Sequence, residues 1–369
     1  MRTTIRIIAA TILLAIASET VWGKNTTNQP PQARQTELLL EVLHQYEEIK
    51  NQGGWPQIKP GRKFYLKDQK DPVIATIKQR LRTTGEFVEA DSSTLFTEEL
   101  ASAIKKAQKK FGLTENGVVD PQLIKYLNVP VEDRIKQIHA NLERFASLPP
   151  PGNGTRLVAN IPEFKLHVYE GTEHVFEMKI VVGTVTNKSA IFNDTLTHIV
   201  FSPYWNVPAS IVRSEILPEI KRSSTYLKRN GYEQVGIENG LPVIRQKPGP
   251  NNSLGLIKFI FPNEHHIYFH DTPAKSLFDL SKRTFSHGCI RLAAAKDLAV
   301  YLLRHSEWNE QKIEAAMNSG KEQWVNLNEP VAVSLTYFTA WVNEDGEINF
   351  REDIYGYDKK SGDIVKRNQ

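Results

Sequence analysis

Apolar positions in the first third of the chain recur at helical spacing. Leu39, Val42, Leu43 and Tyr46 fall on one side of a segment spanning 36–50. Ile74, Ile77 and Leu81 form a second stripe. Leu100, Ile104, Ala107 and Phe111 form a third, closed by Gly112 where a helix stop is expected. Asp120 and Pro121 supply an N-cap and a first-turn proline for a helix carrying Leu123, Ile124 and Leu127. Residues 68–130 therefore predict a small three-helix unit around one core. A further helix, 131–145, sets Ile135, Ile138 and Leu142 in register. The Pro149-Pro150-Pro151-Gly152 cluster then ends it and marks a boundary.

From Thr155 the period shortens toward two. Arg156–Ile161, Phe164–Tyr169, Phe176–Gly183, Leu196–Phe201, Gly255–Phe261 and His266–His270 read as strands separated by Gly, Pro and Asn turns, which predicts a mainly β domain over 155–357. Residues 210–240 interrupt it. They are polar and more helical, with Leu217-Pro218-Glu219-Ile220 and Tyr226–Arg229, and an insertion of about 210–245 is expected to cap the domain. The whole is an α+β multidomain protein: a leader and helix over 24–67, the three-helix unit over 68–130, a helix and linker over 131–154, the β domain with its inserted helical cap, and a tail over 358–369.

The length of 369 residues fits two or three domains rather than one small core. With 40% hydrophobic and 24% charged residues the composition is that of a soluble globular protein. The net charge of +4 comes from basic groups spread along the chain, so nothing points to nucleic acid. At the N-terminus Arg2 and Arg6 precede an apolar run, Ile7 to Ala17, that is short for a bilayer span. A secretory signal over 1–23 is expected, cleaved after Ala15-Ile16-Ala17 or Val21-Trp22-Gly23; left uncleaved, the same run tethers the protein to the membrane. Export changes the meaning of the single cysteine. A lone Cys289 forms no internal disulfide, so it is either buried and inert or kept for chemistry.

The surroundings of that cysteine favour chemistry. The segment Ser286-His287-Gly288-Cys289-Ile290-Arg291 places the thiol beside a glycine, two residues from His287 and two before Arg291. His270-Asp271 lies nineteen residues upstream at the end of a predicted strand. A thiol nucleophile needs a base or a cation that favours thiolate, and histidine is the usual partner. Backbone N–H groups of Gly288 and Cys289 are candidates for an oxyanion hole. His266 and His270 share a strand face, but no HExxH or CxxC spacing supports a metal, so none is expected.

Fifteen residues separate His270 from Ser286-His287-Gly288-Cys289, and a hydrophobic residue and an arginine follow. This pattern resembles the L,D-transpeptidase catalytic family, also called the YkuD family. The resemblance reaches Phe201–Pro208, Asn251–Gly255, Phe261-Pro262-Asn263, Tyr337–Trp341 and Asp353–Gly356. Separately, the run Ala103–Asp120 with the helix around Gln79–Arg82 resembles the peptidoglycan-binding-like domain. It departs from that pattern at Ala107, where an aromatic is common, and at Asn116, where Asp is usual. Together they look like the larger branch of the family, with a helical front module and an inserted cap.

The resemblance implies that Cys289 attacks a donor tetrapeptide stem of peptidoglycan, releases D-Ala and passes the acyl group to an acceptor amine, forming a 3→3 cross-link. His270 is then the general base, Asp271 orients it by backbone or side chain, and Ser286, His287 and Gly288 shape the loop. Arg291, Tyr268, Asn206 and Gly255 are the candidates for holding substrate. No cofactor is implied. The partners are donor and acceptor stem peptides, and the location is beyond the inner membrane, at the periplasmic wall. A related wall-acting cysteine hydrolase or carboxypeptidase shares the acyl-enzyme, as does an enzyme attaching or detaching wall proteins. A non-catalytic wall-binding protein would have dispensed with Cys289 or His270.

Overall fold

The computed structural model describes residues 31–148 and 152–359. The expected signal and leader (apart from its last residues), the Pro149–Pro151 linker core and the end of the tail lie outside them. Among the described residues no helix is long and apolar enough to cross a membrane.

The front of the chain is helical: α1 (Pro31–Asn51), α2 (Pro72–Thr83), α3 (Glu98–Lys110), α4 (Pro121–Leu127) and α5 (Val131–Ala146). The helices begin where side chains satisfy the free N–H groups of the first turn. Asp71 accepts from Val73 N, Thr97 from Leu100 N and Asp120 from Leu123 N, with Pro72 and Pro121 in the first turns. Helix α3 carries Glu98 and Glu99 at its start and Lys109 and Lys110 at its end, matching the helix dipole. Gly112, at φ +66, turns the chain away after it. The predicted stripes all face one core: Leu39, Ile74, Ile77, Leu81, Leu100, Ile104, Ala107, Leu123 and Leu127 are buried there with Tyr65, Phe87 and Phe96.

The described residues after α5 contain fourteen strands: β1 (Thr155–Asn160), β2 (Lys165–Glu170), β3 (Glu173–Gly183), β4 (Phe192–Phe201), β5 (Trp205–Asn206), β6 (Tyr232–Glu238), β7 (Leu241–Gln246), β8 (Ile257–Ile260), β9 (Phe269–His270), β10 (Thr284–Ser286), β11 (Ile290–Leu292), β12 (Gln323–Thr336), β13 (Ala340–Val342) and β14 (Ile348–Phe350). Pairings run β1–β2–β3–β11–β9–β8–β4–β12 and back to β1, a closed circuit of eight strands with β10 added against β3. Closure leaves few free edges and gathers one face inward. Leu157, Leu166, Ile180, Ile199, Phe259, Phe269, Ile290 and Leu335 fill that interior. Ala295, Leu298, Ala299 and Ile313 join it from α9 (Ala295–Leu302) and α10 (Glu310–Met317).

The insertion begins as predicted, with α6 (Ala209–Ile211), a π-helical turn (Val212–Ile216), α7 (Leu217–Arg222) and α8 (Tyr226–Arg229). It then departs from the helical expectation, because β6 and β7 form a hairpin with β5 as third strand. Gln234, Val235, Gly236, Ile237 and Glu238 are all exposed, so no inward-facing alternation announces β6. Val207, Ile211, Val212, Ile216 and Ile244 give this cap its own small core.

The far end of the chain also differs from expectation. Phe338, Ala340, Val342 and Phe350 leave the β domain and pack in the helical core. Phe145 stacks on Phe338 with ring centroids 4.0 Å apart. Gln137 Nε2 donates to Thr339 O and Arg351 O, and Asn141 Nδ2 to Thr339 Oγ1 at 2.7 Å. The β13–β14 hairpin is thus built into the helical body.

Candidate active site

Strand alternation assembles the site. On β8, β9 and β11, Ile257, Phe259, Phe269, Ile290 and Leu292 point into the core. The residues between them, Lys258, His270 and Arg291, together with Tyr268 and Cys289 just outside the strand ends, share the opposite face. Register sets them side by side: Lys258 opposes His270, and His270 opposes Arg291. Ile290 N donates to Tyr268 O, which brings Cys289 beside Tyr268.

His270 is buried, and its Nδ1 lies 2.5 Å from the backbone carbonyl of Asp271. Nδ1 must carry the proton in that contact, which leaves Nε2 as the basic nitrogen. The Asp271 carboxylate is engaged elsewhere, accepting from Leu256 N at 3.0 Å and pairing with Lys275 Nζ. Orientation of the imidazole therefore comes from the backbone of Asp271. Burial, with the Arg291 charge adding to it, pushes His270 down to about 3. Burial also pushes the Cys289 thiol up, against the opposing effects of the Tyr268 N–H, Lys258, the Tyr268 hydroxyl and Arg291. At neutral pH the pair rests as thiol and imidazole. The Sγ lies 3.8 Å from the carbonyl of His266, a residue at φ +53.

The loop before the thiol is fixed by buried hydroxyls. Ser286 Oγ donates to Cys289 O and accepts from Gly288 N at 3.1 Å. That contact occupies the Gly288 N–H, which corrects its assignment to an oxyanion hole. The Cys289 N–H has no acceptor among the described residues and is the donor left for that role. Gly288 sits at φ +119, and this backbone angle is what calls for glycine, since an added Cβ would meet only ordinary contact. Ser189 Oγ donates to Gly288 O at 2.7 Å, and the Tyr355 hydroxyl bridges Ser189 N and Gly183 O. His287 turns outward: its Nε2 meets Glu215 Oε1 of the cap at 2.8 Å.

The substrate candidates separate. Arg291 is on the site face, and its buried Nε has no hydrogen-bond partner among the described residues. Tyr268 lies against the thiol and the Trp205 side chain. Asn206 is exposed on β5 at the cap. Gly255 is buried at φ +64, where a Cβ would stand 2.3 Å from Asp271 Oδ2, so the glycine makes room for that carboxylate. Lys258 escaped the sequence reading. Its Nζ stands 3.8 Å from the Tyr268 ring centroid, and burial lowers its pKa. With Tyr268, His266, Ile267 and Phe261 it lines a cavity of about 240 Å³ beside the thiol. Only strand pairing could have revealed it, because one lysine in an apolar strand carries no signal of its own.

Two segments of the chain match known protein families. Residues 154–322 match the family described as "L,D-transpeptidase catalytic domain", and residues 70–127 match the "Putative peptidoglycan binding domain". A Haemophilus influenzae protein described as "Putative L,D-transpeptidase" is 30% identical over 254 residues, 63% of this chain. The chain spans about half of that relative, 51% of its length. An L,D-transpeptidase from Mycobacterium smegmatis aligns at 15% identity and TM-score 0.27, over 49% of this chain and 59% of that one. Another from Stackebrandtia nassauensis aligns at 12% identity and TM-score 0.30, over 75% and 97%.

Proposed function

The chain carries an L,D-transpeptidase catalytic domain of the YkuD family behind a peptidoglycan-binding-type domain, and on that premise we propose that it cross-links peptidoglycan stems through a Cys289 thioester. The observation that carries the proposal is the single sheet face holding Cys289, Tyr268, His270, Arg291 and Lys258, with the His270 tautomer set by the Asp271 carbonyl.

The chemistry follows from this placement. As the Sγ attacks the carbonyl carbon of the third stem residue, diaminopimelate, its proton passes to His270 Nε2. A neutral imidazole is the form that can take it. The oxyanion forms against the Cys289 N–H. Collapse breaks the bond to terminal D-Ala, whose amine leaves with the proton from His270. An amine of a second stem then attacks the thioester, gives a proton to His270 and forms the 3→3 amide. The sulfur leaves and recovers that proton. Arg291 and Lys258 are two cations facing the site without an ion-pair partner among the described residues, which suits a donor bearing several carboxylates. This reading sets the protein beyond the inner membrane, at the wall, with donor and acceptor stems as its partners.

Mass spectrometry of products tests it. Purified disaccharide-tetrapeptide incubated with the full chain is expected to lose D-Ala and give a 3→3 dimer, with neither change for Cys289→Ala. Loss of D-Ala without a dimer, in the presence of excess acceptor, would replace transpeptidation by hydrolysis.

A further inference from the structure

We propose that His167, His174 and Glu177 form a binding site for a divalent transition metal of the zinc class, on the outer face of the β2–β3 hairpin. The site is separate from the cysteine chemistry and independent of it.

Three features of the hairpin support this. The first is register. His167 and Glu177 are direct cross-strand partners. Pairing then skips Val175, passing from Val168–Phe176 to Tyr169–His174. This one-residue bulge turns His174 onto the face of His167 and Glu177 and leaves Val175 exposed. Without it the side chain of His174 would fall on the other face.

The second is the spacing of ligand atoms. His167 Nδ1 lies 3.3 Å from His174 Nε2 and 3.4 Å from Glu177 Oε2. All three ligand atoms fall within 4.8 Å of one another. Two ligands bound at about 2.0–2.1 Å to a tetrahedral zinc ion stand about 3.3 Å apart. Both edges from His167 Nδ1 have that length. Imidazole with one carboxylate suits zinc and its neighbours better than calcium or magnesium.

The third is the support behind His167. Its other nitrogen, Nε2, meets Glu163 Oε2 at 2.9 Å, and the Glu163 side chain is only 7% exposed. A buried carboxylate accepting from the far nitrogen fixes the tautomer that directs Nδ1 at a metal. Lys165 already bridges the outer oxygens of the same two carboxylates, Oε1 of Glu177 and Oε1 of Glu163, leaving Glu177 Oε2 facing the imidazoles. Neither the thiol mechanism nor the hydrophobic core uses this group.

The test is calorimetric titration of the full chain with zinc chloride, using Cys289→Ser to remove the thiol as an alternative ligand, with unfolding temperature followed in parallel. The result expected is one saturable zinc per chain, a rise in unfolding temperature with zinc, and no response to magnesium. His174→Gln and Glu177→Gln should each weaken binding by at least about tenfold, and Glu163→Gln by about 10–100-fold. Lys165→Met, which removes the competing ammonium, should bind at least as tightly. Circular dichroism of each variant separates lost binding from lost folding, and Glu177, being half-exposed, is the variant least exposed to that confusion. Absence of saturable binding up to about 1 mM zinc, or equal affinity in His174→Gln, Glu177→Gln and the parent, would overturn the proposal.

Discussion

Cys289 and His270 are displaced in opposite directions, the thiol upward and the imidazole down to about 3, and burial is the largest cause in both. A thiolate–imidazolium pair would require the reverse order. Alkylation of Cys289 by iodoacetamide is therefore expected to climb about tenfold per pH unit through the neutral range and beyond the ordinary thiol value. A plateau beginning near pH about 6 would show a preformed ion pair instead. The Asp271 geometry gives a second residue-scale prediction. Asp271→Asn keeps the carbonyl that orients His270, so its kcat should fall by less than about tenfold, with most of the damage in stability through Lys275. His270→Ala should lose about 10²–10⁴-fold, the range for a general base. Comparable losses in the two variants would return the orienting role to the carboxylate. At this scale much was legible. Cys289, His270 and Ser286 can be picked out in the sequence by side-chain type, and strand pairing and the Ser286 hydroxyl bring them together. Gly255 was less legible, because a glycine in sequence does not reveal that its missing side chain yields space to the Asp271 carboxylate.

The elements show why Lys258 was missed while the helices were not. A helix declares its buried face locally, in the i, i+3, i+4 spacing of Leu100, Ile104 and Ala107, and its start in Thr97 or Asp120. A strand face acquires meaning only from its partners. Lys258 joins the site because β8 pairs with β9 in the register that sets it against His270. The cap hairpin was illegible for a related reason: β6 buries almost nothing, so its pattern resembles a polar loop. The cap meets the nucleophile loop through His287 and Glu215, both about half-exposed. Such a pair contributes at most about 1 kcal/mol, a factor of about five in an equilibrium. Glu215→Gln is accordingly expected to leave the unfolding temperature unchanged and to shift KM for a tetrapeptide donor by no more than about fivefold. A large fall in kcat with unchanged KM would make this contact part of the chemistry rather than of cap positioning.

At the scale of the whole molecule, the helical body and the β domain share more than a linker. Phe338, Ala340, Val342 and Phe350 come from the end of the chain and are buried among α1, α3 and α5. Gln35 exchanges hydrogen bonds with both backbone groups of Val342, and Arg144 pairs with Asp358 at 2.6 Å. Deletion of residues 31–146 would strand these apolar side chains in water, at about 1.5–3 kcal/mol for each large one. The truncated protein is expected to unfold at lower temperature and to lose activity on polymeric wall and on small muropeptides alike. Selective loss on polymeric wall, with unfolding temperature retained, would instead make the helical body a detachable wall anchor. The sequence placed the module boundaries near Leu148, where helices end. It could not show the return of the β13–β14 hairpin, since a long-range contact leaves no local periodicity.

Whether Cys289 carries the acyl group can be read from the intact mass of the protein. The full chain mixed with a disaccharide-tetrapeptide, without acceptor and quenched in acid, is expected to gain the mass of the donor less D-Ala. That adduct should map to the peptide containing Cys289, be absent from Cys289→Ala, and disappear when an acceptor stem is added. An adduct on another residue, or turnover of donor by Cys289→Ala, would remove Cys289 from the role of nucleophile.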